Sequence, residues 1–564
     1  MTLCIDGKLI DLQPGQSLLD LIRELGLDNI RLSQRPLAAK IAGEVFTLNY
    51  VPMREKDVSQ TNVRAAVAAS DGNVKLIRYT DAAGKELYTR TAQFVIFLAL
   101  KRLWPQAKAK IHCTIGSGLF IELEKPADYS VERLKLELCS IIEANIPLLR
   151  SRTTTQSAIE YFAANDRQDK ARLLRWRKAD HYDWYSYGDF KDYYYGEMAP
   201  ATGYLTVWDL LDADGGFVFI LPDDQNPDWV ASYHDSPQFL QVFTEGQRWC
   251  ELMDCENVAE LNELVRNGGI RELIRVNEAL HEKRYAQVAD QVCQRGAKAV
   301  MLAGPSSSGK TTSANRLATQ LRTHGIRPIL MSLDDYYLDR HLIPPGPDGK
   351  LDLEHINTID TDLFKQHLQQ LLLGQEVELP SFNFKTGRRE WRGHKLRLTE
   401  QTVIIVEGLH ALNPVLLPEG LDENLVFRFY VSALPPLNLD NHNRIPTSYL
   451  RLLRRCVRDY ETRGSSVQHT MSMWDSVRAG EKRWIFPFQE NADVIFNSST
   501  LYELAVLKKH IFPLLTAVQP EDEYYDDVRA IVKILNYIEE ADVDDEIPPT
   551  SLVREFIGGN TFYR

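Results

Sequence analysis

Eight consecutive residues, Gly304-Pro305-Ser306-Ser307-Ser308-Gly309-Lys310-Thr311, carry the spacing G-x-x-x-x-G-K-[ST]. Glycines at both ends permit a tight turn whose backbone N–H groups converge on phosphate oxygens. Lys310 adds a mobile charge for the outer phosphates, and the Thr311 hydroxyl is suited to hold Mg2+. Thr312 extends this set by one more hydroxyl. The chemistry such a loop supports is the binding of a nucleoside triphosphate together with Mg2+.

Transfer of a bound phosphoryl group needs a base, support for the metal and cations for the equatorial oxygens. Asp334 follows the apolar segment 327–333, where a carboxylate can accept a proton from a substrate hydroxyl. Glu407 follows the apolar segment 403–406 and is a candidate for the Mg2+ shell. Arg451, Arg454, Arg455, Arg458 and Arg463 form a run too basic to be only a solvated face in so acidic a chain. Arg455 and Arg458 are three apart and share a helix side, as a lid closing over phosphate would require.

The elements that must position these groups are legible nearby. Residues 299–303 read as a buried strand before the loop, and 312–318 open a helix after it. Further apolar strands are expected at 327–333, 403–406, 426–431 and 493–496, and a long helix at 270–295. Near-continuous apolar strands alternating with helices predict a parallel sheet covered on both faces, with ligands beyond its carboxyl ends. The acidic tail 521–540 and the end 552–562 are expected to pack on the surface.

Composition bounds the rest. The 564 residues are 44% hydrophobic and 25% charged, enough for several cores. A net charge of −13 argues against a broad nucleic-acid footprint; a local basic cleft or the N-terminal domains leave nucleic acid open as a partner. Seven dispersed cysteines lack metal-type pairing and fit a reducing cytoplasm. With no basic-then-apolar leader pattern, and an apolar run 94–100 too short to span a bilayer, a cytoplasmic chain without membrane contact is expected. Homo-oligomerisation is left open.

Residues 1–62 pattern as a hairpin, a helix 18–25 and two later strands, and resemble the β-grasp TGS domain of threonyl-tRNA synthetases. Residues 63–265 carry a helical stretch 91–104 and the loop Tyr193-Tyr194-Tyr195-Gly196-Glu197-Met198. They resemble the second additional, editing-type domain of those enzymes. That family places two histidines on the helix and a Cys and a His in the loop; here Arg90, Phe94, Tyr194 and Met198 stand there, so editing chemistry is not expected. The aromatic cluster from Tyr182 to Tyr195 suits either nucleobase stacking or a packed core.

Residues 266–564 resemble the uridine kinase and phosphoribulokinase family of P-loop kinases, through 304–312, Asp334-Asp335-Tyr336-Tyr337, Leu379 to Phe384, Val406-Glu407-Gly408 and Arg454 to Tyr460. The fold class expected is therefore multidomain α+β and α/β: a β-grasp domain, an editing-like α+β domain and a P-loop parallel-sheet kinase domain. The resemblance implies that Asp334 is the general base, that Lys310 and Thr311 serve ATP and Mg2+, and that Glu407 supports the metal. It places Arg455 and Arg458 toward the acceptor or its reacting oxygen and Arg463 in the lid with the nucleotide. Glu354, with Asp352 nearby, stands where the family reads the acceptor. Uridine kinases normally use a Tyr-Asp-Phe segment and a following His; Phe382-Asn383-Phe384 and Gly387 replace them, beside Lys385, Arg388 and Arg389. Phe382 and Arg389 are accordingly acceptor candidates, and the acceptor is a nucleoside or related metabolite with room for an anionic group. The alternative is a nucleotide-binding regulatory or RNA- or ribosome-associated protein without small-molecule kinase activity.

Overall fold

Five apolar segments pair in parallel in the order Arg327–Ser332, Thr402–Glu407, Ala299–Ala303, Val426–Ser432 and Val494–Asn497. The computed structural model describes all residues except 1, 6, 12, 14, 29–30, 42–43, 52–72, 344–351, 353 and 563–564. Alternate side chains of the central strand enter opposite cores, as a period of two requires. Val300 and Leu302 pack with Leu317, Leu321 and Val288 under the helices Lys310–Thr323 and Ile270–Arg295. Met301 and Ala303 pack with Phe364 and Leu368 from the helix Thr361–Leu372. Because all five strands run the same way, Gly304, Asp334 and Gly408 follow their carboxyl ends on one edge of the sheet.

The front of the chain forms a second five-stranded sheet, in the order Lys8–Asp11, Thr2–Ile5, Asn73–Ile77, Ala38–Ile41 and Glu44–Thr47. Its helix Leu18–Glu24 starts with a capping box in which the Ser17 hydroxyl accepts from the Asp20 N–H. This is a mixed β-grasp arrangement, because Thr2–Ile5 runs parallel to Asn73–Ile77 while the other pairs are antiparallel. The expected boundary at 62 is therefore too early: the central strand of the first sheet is Asn73–Ile77. The boundary expected at 265 falls inside the helix Val258–Asn267, whose Asn262 donates to the Tyr537 carbonyl.

Between them, the helix Ala82–Leu103 lies with a four-stranded antiparallel sheet, Asp209–Ala213, Gly216–Ile220, Gly118–Leu123 and Ala109–Ile115. The aromatic cluster is core: Tyr182, Tyr185, Tyr193 and Tyr194 are all buried. The four positions that differ from the editing pattern meet here. Phe94 packs edge-on against Phe190 and Tyr194, and Arg90 donates to the Glu197 carbonyl beside the buried Met198.

The hairpin Asn438–Asp440 and Asn443–Arg444 closes this region from the far end of the chain. The His442 ring stacks on Phe97 at 3.4 Å between centroids, and its Nδ1 lies 2.5 Å from Asp192. Lys170 is fully buried and pairs with Asp192 and Asp440, which Arg167 also reaches. Burial alone would raise the Asp192 carboxyl, but Lys170 and Arg167 outweigh it and hold it well below the ordinary range. Such a network is costly to break, because a lone charge would remain buried. Asp192→Ala is expected to destabilise the protein by about 3–5 kcal/mol, read as an earlier urea transition; an unchanged transition would mean that these charges are solvated.

Candidate active site

The phosphate loop lies tight against the neighbouring strand. A Cβ on Gly304 would stand 2.1 Å from the Val431 carbonyl oxygen, so only glycine fits. Ser307 and Gly309 take left-handed conformations, with φ of 58° and 88°, which curl the loop into a concave row of N–H groups. The Ser307 and Ser308 hydroxyls are buried without a hydrogen-bond partner among the described residues. Phosphate oxygens would satisfy them, so the cradle fits a polyphosphate.

The arginine helix, Thr447–Arg463, divides its charges between scaffold and site. Arg451 donates to the Ser306 carbonyl at 3.1 Å and pairs with Glu481, which accepts the Ser306 N–H at 2.7 Å. Arg454 is wholly buried, bonding Glu503, the Ser498 carbonyl and the Ser307 carbonyl. These two brace the loop rather than face a ligand. Arg455 reaches the Ser306 hydroxyl at 2.9 Å, at the loop's mouth. Arg458 and Arg463 share Asp459, at 2.9 and 3.2 Å, and Arg463 acts on Asp334 through its charge.

Lys310 is half-buried, and the loss of solvent pulls its pKa down, while Glu407, Asp334, Glu555 and Glu481 pull it up. Its amine donates to the Pro305 carbonyl at 3.1 Å. Asp334 sits in the short turn Leu333–Tyr336, where the Ser332 hydroxyl accepts its N–H. Burial raises the Asp334 carboxyl; Lys310 and the Tyr337 phenol oppose that rise. Burial likewise pushes Glu407 up to about 7 against Lys310, with Asp334 and Glu555 adding to the rise. Both Glu407 oxygens lie 3.4 Å from the Thr311 hydroxyl. A hydroxyl and a strained carboxylate are oxygen donors that fit Mg2+, which keeps most of its shell as water and phosphate oxygen.

Glu354 is pushed up to about 7, by burial first and then by Glu481, with Arg455 and Lys310 opposing. Asp352 caps it locally, accepting the Glu354 N–H at 3.1 Å. Phe382 is buried against Tyr337, with ring centroids 5.5 Å apart. Arg389 corrects the expectation that it meets the acceptor. Its guanidinium pairs with Asp360 at 2.9 Å and donates to the Tyr336 and Tyr337 carbonyls, which holds the turn that carries Asp334.

The end of the chain corrects a second expectation. Leu552, Val553 and Phe556 are buried at the loop instead of lying on the surface, and Glu555 touches Thr312. Sequence reasoning missed Glu481 and Glu555. Neither sits in a local motif, and they meet their partners across 175 and 243 positions.

The family model described as Phosphoribulokinase / Uridine kinase family matches residues 299–505, the span holding the loop, Asp334, Glu407 and the arginine helix. A uridine kinase of Vibrio atlanticus is 31% identical over 221 residues, which are 38% of this chain and 95% of that protein. The chain belongs to the phosphoribulokinase / uridine kinase family. Its N-terminal region is similar to a different relative. A threonine–tRNA ligase of Clostridium kluyveri is 26% identical over 216 residues, 38% of this chain and 31% of the ligase. The chain thus spans about a third of the length of such ligases. A solved structure described as a possible uridine kinase from Bacillus stearothermophilus aligns at 18% identity and a TM-score of 0.27, covering 38% of this chain and 98% of its own.

The Glu354 carboxyl carries a pH signature. Its pKa is higher folded than unfolded, so the stability it contributes is fully present below pH 4.5 and lost as pH rises through about 7. Glu354→Gln escapes that loss. Its stability relative to the parent should grow by up to about 3 kcal/mol between pH 4.5 and 8, measured as melting temperatures; a pH-independent difference would place Glu354 in water.

Proposed function

We propose that this protein is an ATP-dependent kinase that transfers the terminal phosphoryl group to a hydroxyl of a small acceptor, with a nucleoside as the first candidate. The observation that carries the reading is the convergence of Asp334 and Lys310 within one poorly solvated electrostatic field beside the phosphate loop, with Arg455 on the Ser306 hydroxyl. A nucleotide-binding switch needs the loop but no buried base next to it.

In this reading Gly304, Pro305, Ser306, Ser307, Ser308, Gly309, Lys310, Thr311 and Thr312 hold the triphosphate, and Thr311 with Glu407 hold Mg2+. The metal, when bound, neutralises charge on the phosphate oxygens. Asp334, raised by burial, takes the proton from the acceptor hydroxyl as that oxygen bonds the terminal phosphorus and the bond to ADP breaks. Lys310, Arg455 and Arg458 offset charge on the moving group, and Arg463 closes over it. Glu354, Asp352 and Phe382 line the acceptor side, with the Tyr337 phenol on Asp334. Arg389 is committed to Asp360, which leaves fewer cations for an anionic acceptor than the loop composition implied.

Seven free cysteines favour a cytoplasmic setting for this activity, and among the described residues no helix is long and apolar enough to cross a membrane. The N-terminal domains, TGS-like and editing-like, are read as structural partners of the kinase. Their editing-type positions are packed with Phe94, Tyr194 and Met198 and hold no groups for hydrolysis.

The test is ATP consumption by the full chain against a panel of nucleosides, phosphosugars and small hydroxylated metabolites. Acceptor-dependent turnover should fall about 100- to 10,000-fold in Asp334→Asn while ATP binding persists. Slow hydrolysis that ignores both the acceptor and the substitution would sink the kinase reading.

A further inference from the structure

The segment after residue 550 lies beyond the part of the chain that matches the kinase family, yet it packs on the phosphate loop. Leu552 crowds Gly309 so closely that a Cβ there would stand 2.7 Å from it. Phe556 lies under the Arg454 guanidinium at 4.8 Å, and the Ser551 hydroxyl donates to Glu278 at 2.7 Å. Three buried anchors thus hold the one-turn helix Arg554–Ile557 against the start of the phosphate-loop helix.

From this turn the Glu555 carboxylate accepts the Thr312 hydroxyl at 2.5 Å and the Thr312 N–H at 3.3 Å. Asn560 donates to the same hydroxyl at 3.4 Å. An N–H and a hydroxyl in the first turn of a 14-residue helix, at its positive end, are donors that suit an anion. The unpartnered Ser307 and Ser308 hydroxyls beside them mark the same concavity as built for phosphate. A carboxylate and a phosphate oxygen cannot both take the Thr312 donors.

The two acids at the cradle, Glu481 buried and Glu555 half-buried, differ in a way that assigns their roles. Glu481 is paired by Arg451 on both oxygens, so its place on the Ser306 N–H is permanent scaffold. Glu555 has no Lys, Arg or His within ion-pair distance among the described residues; Lys310 acts on it only through the field of the cradle. It also adds negative charge at Glu407. Outward rotation of its side chain would break no ion pair among the described residues.

We infer that Glu555 is an internal phosphate mimic: it occupies the inner-phosphate donors of the empty cradle, and a nucleoside di- or triphosphate must expel it to bind. The C-terminal segment thereby sets nucleotide affinity. This rests on the reading of the loop as a nucleotide site.

The experiment titrates ATP with Mg2+, tripolyphosphate and adenosine into the full-length parent, Glu555→Gln and Glu555→Ala by calorimetry. Gln keeps the shape and an acceptor oxygen but not the charge, so it carries the test even where Ala perturbs folding, which melting curves reveal. ATP and tripolyphosphate should bind about two- to thirtyfold tighter in the variants, the span of one charge at a helix end, with adenosine unchanged. Unchanged or weaker ATP binding in Glu555→Gln overturns the mimic while leaving the nucleotide site standing, and weaker adenosine binding would make Glu555 a nucleoside ligand instead. Failure of ATP and tripolyphosphate to bind the parent and both variants would overturn the nucleotide reading, and the inference with it.

Discussion

A half-buried lysine amine in the field of four carboxylates sets the electrostatics of the whole cleft. Lys310 lies under the influence of Glu407, Asp334, Glu555 and Glu481, and it offsets the desolvation that raises Asp334 and Glu407. The balance is incomplete, because Asp334 and Glu407 remain raised. A site with that surplus of acid is poised to receive a metal ion and to take up a proton, and a phosphate donor needs both close by.

The rest of the kinase region serves to keep that cluster dry and in place. The parallel sheet delivers the loop, Asp334 and Glu407 to one edge, and the arginine helix closes the side. Its charges do two kinds of work. Arg451 and Arg454 spend their guanidiniums on loop carbonyls and on buried acids, which gives the backbone of the cradle a fixed shape. Arg455 keeps a reach toward the mouth. The helix itself starts just after the hairpin that enters the N-terminal region, so Lys170, Asp192 and His442 anchor the start of the element whose middle braces the phosphate loop.

Much of this was legible along the chain. The five strands of the kinase sheet read as apolar runs because a sheet covered on both faces has no polar side to interrupt the pattern. The phosphate loop was visible because its geometry is made by eight adjacent residues. Asp334 and Glu407 could be picked out because strand ends in such a sheet point to one edge. The first boundary was misjudged because Asn73–Ile77 returns to pair with Thr2–Ile5, and strand pairing across the length of a domain leaves no local mark. Arg389 looked like a ligand cation because loop charges are usually free, while Asp360 lies 29 positions away.

What the sequence alone determined is the chemistry within reach: a phosphate-binding turn, two acids after strands and a helix rich in arginine. Those depend on neighbours in the chain, where spacing and residue type are sufficient. Only the tertiary structure decided which arginines are braces, that Glu481 holds the loop by its backbone, and that Glu555 lies on the donors at the start of the helix. The reason is that burial turns a charge into a demand for one particular partner, and the fold brings those partners from hundreds of residues away.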